Sequence, residues 1–509
     1  MASSLKAFVL RHKRTLELVL LAAMAGAGVA LRVARAVMLD PFEDGYQRWW
    51  ISANLLETGQ HVDMYSRMTQ GNWLPLYDYV GAGLLVIFGM HNIWAMKGFN
   101  IVLSVGLMGL ACLMGRRHSE LAGVAAFAFM TFSPPDMILG TTASPDTLGA
   151  FAVILAFYLF RARPIGARMS LIFSSLSFLV GVATFYEAWF GLAVFVLYYV
   201  IKDRRKLKVK EMAVVVLPAL IFCIIWLVYV AQWGFLPSII VSQTSVDVNY
   251  QVQAGTQPSL LDQFASFWFA YGTHFAVVFV MSLVYLVFKG WRELEGAIYV
   301  AFLASLIAYS AVRVGQPSPR YIYITIPIGA VFAGRALSGG IRRFRDFAGL
   351  RGALGGNGLN AKKAVAIVAA LLFVSGAVAY DAWRVVAPRD APGVYLQPRQ
   401  RAGEFLAGVS VPEGKLVVFE SPVSAYYSDL PPSKMIGSRL LPQSRSAAEQ
   451  YLHDRVSYVV YIDVPYYPLR EMFPELANGE STGMFILAYN ANSWEADFGA
   501  FHVYVYAVS

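Results

Sequence analysis

Long apolar runs recur along this sequence, and they fix the solvent in which the chain can fold. The first, residues 18–38, is about 20 residues long, enough to cross a bilayer as a helix. Basic Lys6, Arg11, Lys13 and Arg14 precede it, and Arg32 and Arg35 stand where a cleavable signal carries small residues. It therefore reads as a retained anchor with a cytoplasmic N-terminus. Further runs at 99–114, 121–132, 148–160, 171–182, 189–201, 212–231, 275–288, 297–312, 322–332 and 364–380 bring the expectation to about 11 spans. Only 14% of residues are charged and 57% are hydrophobic. A soluble domain carries about 25% charged residues, so soluble enzymes and disordered nucleic-acid coats are excluded. Cys112 and Cys223 both sit in apolar runs, where they read as small buried hydrophobes rather than as a disulfide or a metal site.

Charge orders the spans. Cytoplasmic loops of a multi-pass protein collect Lys and Arg. One alternate set of loops holds Arg116, Arg117, Arg161, Arg163, Arg168, the run from Lys202 to Lys210, Lys289, Arg292 and Arg335 onward. The other set holds Asp40, Glu43, Asp44, Glu57, Asp63, Asp136, Asp146, Glu187 and Asp247. The net charge of +9 is thus topological, with the lipid bilayer and not nucleic acid as the partner. The alternation requires the short apolar stretch 79–90 to stay on the outer side, so residues 39–97 form one long external loop with juxtamembrane helices. Residues 232–271 read as an external flap, since loops of that length are usually functional or disordered. Residues 336–363, basic and rich in Gly, read as a flexible cytoplasmic loop.

The membrane module is expected over residues 1–390. After about Arg399 the pattern changes to alternating runs at 415–420, 457–462, 484–489 and 501–508, with a helical stretch at 446–453. This predicts a small external α/β domain over 399–509.

Ionisable groups at a membrane edge are expensive, and here they gather outside. After the first run comes Asp40-Pro41-Phe42-Glu43-Asp44-Gly45-Tyr46-Gln47-Arg48, with adjacent carboxylates beside aromatic residues. Two close carboxylates separate in pKa, leaving one to act as a base; the plain alternative is a polar loop in an aromatic belt. Asp136, after Ser133-Pro134-Pro135, and Asp146, after Ser144-Pro145, occupy outer turns, as catalytic acids or as helix-terminal groups. Glu187 lies in the apolar turn Phe185-Tyr186-Glu187-Ala188-Trp189. Cations at that level are Arg48, Arg67, Lys97, Arg313 and Arg320, and Arg320 before Tyr321 is set to fork onto a phosphate or to snorkel. Acids to activate an acceptor, cations to hold a phosphate and a lipid-edge position suit group transfer from a lipid-linked donor.

These residues resemble the GT-C superfamily of polytopic glycosyltransferases, which includes protein O-mannosyltransferases, lipid A aminoarabinose transferases and oligosaccharyltransferases. The likeness rests on Phe42-Glu43-Asp44-Gly45-Tyr46 after the first span, Asn54-Leu55-Leu56-Glu57-Thr58-Gly59, Asn72-Trp73-Leu74-Pro75-Leu76-Tyr77, Ser144-Pro145-Asp146 and Arg320-Tyr321 before Pro327. It implies an inverting transfer of a sugar from a polyprenyl-phosphate donor to a protein, glycan or lipid acceptor, outside the cell. It assigns Asp44 as base, Glu43 as its neighbour, Asp146 as a second acid, and Arg320, Lys97 and Arg48 as phosphate contacts. Asp136, Glu187, Tyr321 and Trp73 are further candidates. No cofactor is implied, and no P-loop or Rossmann glycine pattern is present. Trp73-Leu74-Pro75-Leu76-Tyr77-Asp78 is also similar to archaeal oligosaccharyltransferases, for which Mg or Mn would bind at Asp44 and Asp146. The two-tryptophan, aspartate and glycine signature of that group is absent, and Asp463-Val464-Pro465-Tyr466-Tyr467 stands in the nearest strand end. A monosaccharide transferase is the preferred expectation, with en bloc glycan transfer as the alternative. A transporter or flippase, from a different class, would place its ionisable residues near the midplane instead of at one edge.

Overall fold

The computed structural model describes residues 13–40, 43–62, 64, 74–202, 209–232, 274, 276–311, 320, 323–353, 376, 379–381, 383–387, 396–463, 467–492 and 502–509. By its contacts the chain divides into two units: Met1–Arg35, Asn100–Thr141 and Pro145–Ala387 form one, and Ala36–Phe99, Thr142–Ser144 and Pro388–Ser509 form the other.

The first unit is helical. Arg14–Ala36, Ile93–Arg116, Ala167–Thr184 and Val209–Gln232 are each long and apolar enough to cross a membrane, and Glu120–Thr131, Tyr186–Ile201, Ala276–Phe288 and Leu294–Ser305 are shorter apolar helices. The chain is an integral membrane protein of the polytopic helical kind. Helix Asp146–Ala162 packs on Ala167–Thr184, and helix Thr325–Ala353 packs on Glu120–Thr131. Small residues permit the second contact: a Cβ on Gly334 would stand 2.5 Å from the Ala122 carbonyl oxygen.

Polar groups tie one end of this unit. Arg161 pairs with Glu295, Arg335 with Glu293 at 2.6 Å, Arg163 with Glu211 at 2.5 Å, and Arg116 with Glu17. Arg116, Arg161, Arg163 and Arg335 come from the loops whose charge marks them as one set. The expected flexible loop 336–363 is corrected in part, because helix Thr325–Ala353 runs on through it as far as Ala353. Its sequence accounts for this in part: Ala, Leu and Arg favour helix and proline is absent after Pro327, while each Gly, the pair Gly339-Gly340 included, costs about 1 kcal/mol. Asp136 stands in the first turn of a short helix, Pro134–Leu139, in keeping with a helix-terminal group, and is fully buried in it.

The second unit combines helices Asp44–Thr58 and Leu76–Phe88 with a five-stranded sheet of order β2-β1-β3-β5-β4. The strands are β1 Leu416–Phe419, β2 Met435–Gly437, β3 Val456–Ile462, β4 Phe485–Asn490 and β5 Val503–Val508. β1 pairs in parallel with β2 and β3, while β5 runs antiparallel between β3 and β4. Helix Arg445–Arg455 supplies the crossover before β3 and buries Ala448 and Leu452 against Val459, Tyr461, Phe485 and Tyr506. Four strands and this helix fall where alternation placed them; β2, with three residues, was too short to read.

At the end of β1, Glu420 is buried and accepts the Ile462 N–H at 2.7 Å and the Leu469 N–H at 3.1 Å. One carboxyl group thereby joins the ends of β1 and β3 to helix Pro468–Met472.

Candidate functional site

In the second unit the acidic motif opens helix Asp44–Thr58, where a carboxylate at the first residue complements the positive helix end. The helix stops at Gly59, whose φ of 72° is left-handed and suits glycine. Asp44 is half-buried. Its neighbour Glu43 pairs with Arg399 and accepts the Ser421 hydroxyl, and Ser421 also caps helix Pro422–Tyr427 by accepting the Val423 N–H at 3.2 Å. Tyr46 packs its ring 5.5 Å from that of Tyr426 and 5.9 Å from that of Tyr427, and burial pushes its phenol well up.

Lys97 is buried and bonds the Asp40 carboxylate at 2.6 Å and the carbonyls of Ala36 and Met38 at 3.2 and 3.3 Å, which engages all three of its donors. The other Asp40 oxygen accepts the Ala143 N–H at 3.4 Å. Gly45 leaves room for the Asp40 carboxylate, which a Cβ there would push aside. Arg48 donates to Asp78 at 2.6 Å and to the Leu74 carbonyl at 3.3 Å, and His61 Nε2 meets the same Asp78 oxygen at 2.8 Å. Arg48 and Lys97, expected as phosphate contacts, thus each hold a buried carboxylate.

In the first unit Asp146 is the first residue of helix Asp146–Ala162 and is fully buried. Arg320 donates from Nε to Asp146 Oδ1 at 3.0 Å, and Asp146 Oδ2 meets no hydrogen-bond partner among the described residues. Glu187 lies within electrostatic reach of both. Asp136 joins a different group. It pairs with Arg32, accepts the Tyr323 hydroxyl, and accepts the Ser104 hydroxyl at 2.7 Å. Arg32 also donates to Ser104 at 2.6 Å and to the carbonyls of Gly28, Thr131 and Met130 at 3.0, 3.1 and 3.2 Å. Met130 and Thr131 end helix Glu120–Thr131, whose last carbonyls lack intrahelical donors.

The expected residues therefore meet in part. Asp146, Arg320 and Glu187 come together in one unit, and Glu43 adjoins Asp44 in the other. Trp73, Tyr321, Arg67, Arg313 and flap residues 233–271 lie outside the described residues. Arg399 and Ser421 escaped sequence reasoning because their partner is more than 350 positions away. Arg32 carries a signal of its own in the sequence, an arginine inside an apolar run, beyond its place in the retained anchor. Among the described residues no three His, Cys, Asp or Glu side chains converge, and Asp146 gives one oxygen to Arg320. The described residues thus do not make up a donor set for the Mg or Mn of the alternative.

No protein-family model matches the sequence, nor does any curated protein. Solved structures do. ArnT from Cupriavidus metallidurans bound to undecaprenyl phosphate aligns over 96% of this chain and 97% of its own, with TM-score 0.60 and 14% identity. The Archaeoglobus fulgidus oligosaccharyltransferase tethered with an acceptor peptide aligns over 98% of this chain and 74% of its own, with TM-score 0.55 and 14% identity. The archaeal oligosaccharyltransferase AglB from Archaeoglobus fulgidus, in complex with an inhibitory peptide and a dolichol-phosphate, gives TM-score 0.54 at 14% identity over 98% of this chain and 75% of its own. The chain thus has the fold shared by these solved structures of ArnT and AglB.

Proposed function

We propose that this chain is an extracytoplasmic glycosyltransferase that moves a sugar from a polyprenyl-phosphate donor to an acceptor. The observation that carries this reading is the Asp146–Arg320 pair. Held at Nε by a buried carboxylate, the guanidinium has a fixed plane, and a fixed guanidinium suits the fork of a phosphate. The likeness to ArnT with its undecaprenyl phosphate and to AglB with its dolichol-phosphate supports the same donor class.

In the reaction the acceptor nucleophile attacks the anomeric carbon opposite the phosphate. The bond from that carbon to the phosphate oxygen breaks, its electron pair stays on the oxygen, and the sugar inverts. Asp44 takes the acceptor proton. Arg320 stabilises the charge that grows on the departing phosphate, which needs no strong acid. Glu43, tied to Arg399 and Ser421, positions Asp44. Lys97 and Arg48 act through Asp40 and Asp78 to hold the segments around the motif.

A monosaccharide donor is preferred, because the C-terminal domain lacks the two-tryptophan signature of en bloc transferases. The likeness to the archaeal oligosaccharyltransferase favours the second reading, in which a whole glycan moves to a peptide. About 11 spans, a cytoplasmic N-terminus and an external C-terminal domain complete the proposal; the ion pairs that collect Arg116, Arg161, Arg163 and Arg335 at one end support that topology.

The test is release of polyprenyl phosphate by purified protein from prenyl-phosphate monosaccharides and a pyrophosphate-linked oligosaccharide, with and without divalent metal. Acceptor-dependent release from a monophosphate donor, lost in Asp44→Asn and weakened in Arg320→Ala, is expected. Metal-dependent use of the pyrophosphate donor alone would replace the first reading with the second. Full turnover in Asp44→Asn would remove its role as base.

A further inference from the structure

Helix Asp44–Thr58 holds two buried side chains, Gln47 and Trp50, whose polar atoms meet no partner among the described residues. Gln47 is 2% exposed and Trp50 is 4% exposed. Neither the Oε1 nor the Nε2 of Gln47, nor the Nε1 of Trp50, meets a hydrogen-bond partner among the described residues. A buried polar group left unpaired is costly, and native proteins retain few. Three such groups on two side chains within a single turn therefore call for a compensating partner.

Their placement narrows what that partner is. Residues three and four apart share a helix face, so Gln47 and Trp50 are neighbours on one stripe, and Glu43 and Asp44 precede Gln47 by four and three positions on the same side. A carboxamide offers a donor and an acceptor side by side. Adjacent hydroxyls of a sugar ring match it, one donating to Oε1 and the other accepting from Nε2–H. The indole N–H supplies a further donor to a ring or exocyclic oxygen, and its broad apolar surface covers C–H groups. A carboxylate or phosphate would leave Oε1 facing an acceptor, and an apolar chain would leave all three groups unpaired.

We propose that Gln47 and Trp50 form a carbohydrate subsite that reads adjacent hydroxyls of the transferred sugar or of a sugar acceptor. This rests on the glycosyltransferase reading and adds to it the residues that select the substrate. A site built around hydrogen bonds to a hydroxyl rejects an analogue that lacks it, because its own buried groups are then stranded.

The test uses the full-length protein with Gln47→Met and Trp50→Phe, which keep length and apolar bulk. Melting temperature is expected to hold or rise, since unpaired polar atoms are removed. At the same time kcat/KM with the intact substrates falls about 10- to 100-fold. Deoxy analogues then identify the ligand: against one deoxy sugar the variants and the parent protein should perform equally, and whether that sugar is donor or acceptor assigns the subsite. Wild-type kcat/KM in both variants, or losses that multiply with every deoxy analogue, would overturn it. Release of polyprenyl phosphate from no donor by the parent protein would instead remove the transferase reading, and the subsite with it.

Discussion

Replacing Asp136 by Asn should destabilise the helical unit by about 3–5 kcal/mol, the range seen when one partner of a buried ion pair is removed. Both Arg32 and Asp136 are 0% exposed, so no solvent replaces the lost charge. The carboxylate accepts from Arg32, Ser104 and Tyr323, whereas Asn keeps one oxygen and turns an amide toward the remaining donors. Ser104→Ala removes the bond given to Asp136 and the one taken from Arg32 but leaves the ion pair in place, and should cost about 1.5–3 kcal/mol. Pairing Asp136→Leu with Arg32→Met should recover part of the loss. The recovery is incomplete because Arg32 also serves the carbonyls of Gly28, Met130 and Thr131. Equilibrium unfolding of purified protein in mixed micelles, arranged as a double-mutant cycle, reads these differences. A cost under about 1 kcal/mol for Asp136→Asn would mean that the pair is solvated, and would refute the reasoning from burial.

Other consequences are open to direct measurement. Burial pushes the Glu420 carboxyl up to about 8, against the pull of the Ile462 and Leu469 N–H groups and of Arg399. Its folded pKa lies above its unfolded value, so its contribution is full below the ordinary carboxylate range and is lost as pH rises through about 8. Melting temperature followed from pH 5 to 9 should show that fall, and Glu420→Gln should flatten it. Gly45→Ala should drive the Asp40 carboxylate off Lys97 and reduce transfer about 10-fold or more, since small misplacements near the chemistry act strongly; unaltered turnover would show that the motif tolerates the shift. Ser421→Ala removes a helix cap and a bond to Glu43, and should lower stability by about 1–2 kcal/mol in a denaturant titration.

The parts of this molecule that were readable in advance are those that repeat locally. Apolar length announced the four helices long enough to cross a membrane and the shorter apolar helices of the described residues, while the run 364–380 lies mostly outside them; period-two alternation announced β1, β3, β4 and β5 within a residue or two. Loop charge grouped Arg161 with Arg335, which meet Glu295 and Glu293 at one end of the helical unit. The extension of helix Thr325–Ala353 past Arg343 was hidden because its charges and glycines look like those of a loop. Asp146 and Arg320 were picked out by their position at helix starts, and they pair. Asp136 had the same signal and a different fate, because its partner is Arg32, which stands inside an apolar run and not at a helix start. Glu43 likewise pairs with a residue far along the chain, Arg399. Pairings across such distances leave no periodicity, and a single sequence gives only the unmatched halves.

The bond network around Glu43 also bears on modular exchange. The proposed external domain invites replacement, as a way to hand the proposed transferase a new acceptor. Here Arg399 and Ser421 reach the residue next to the proposed base, so a donor domain grafted at the end of the membrane module would arrive without the groups that hold that residue in place. Positions 43, 399 and 421 should accordingly change together among related sequences, and a working chimaera must import all three or none.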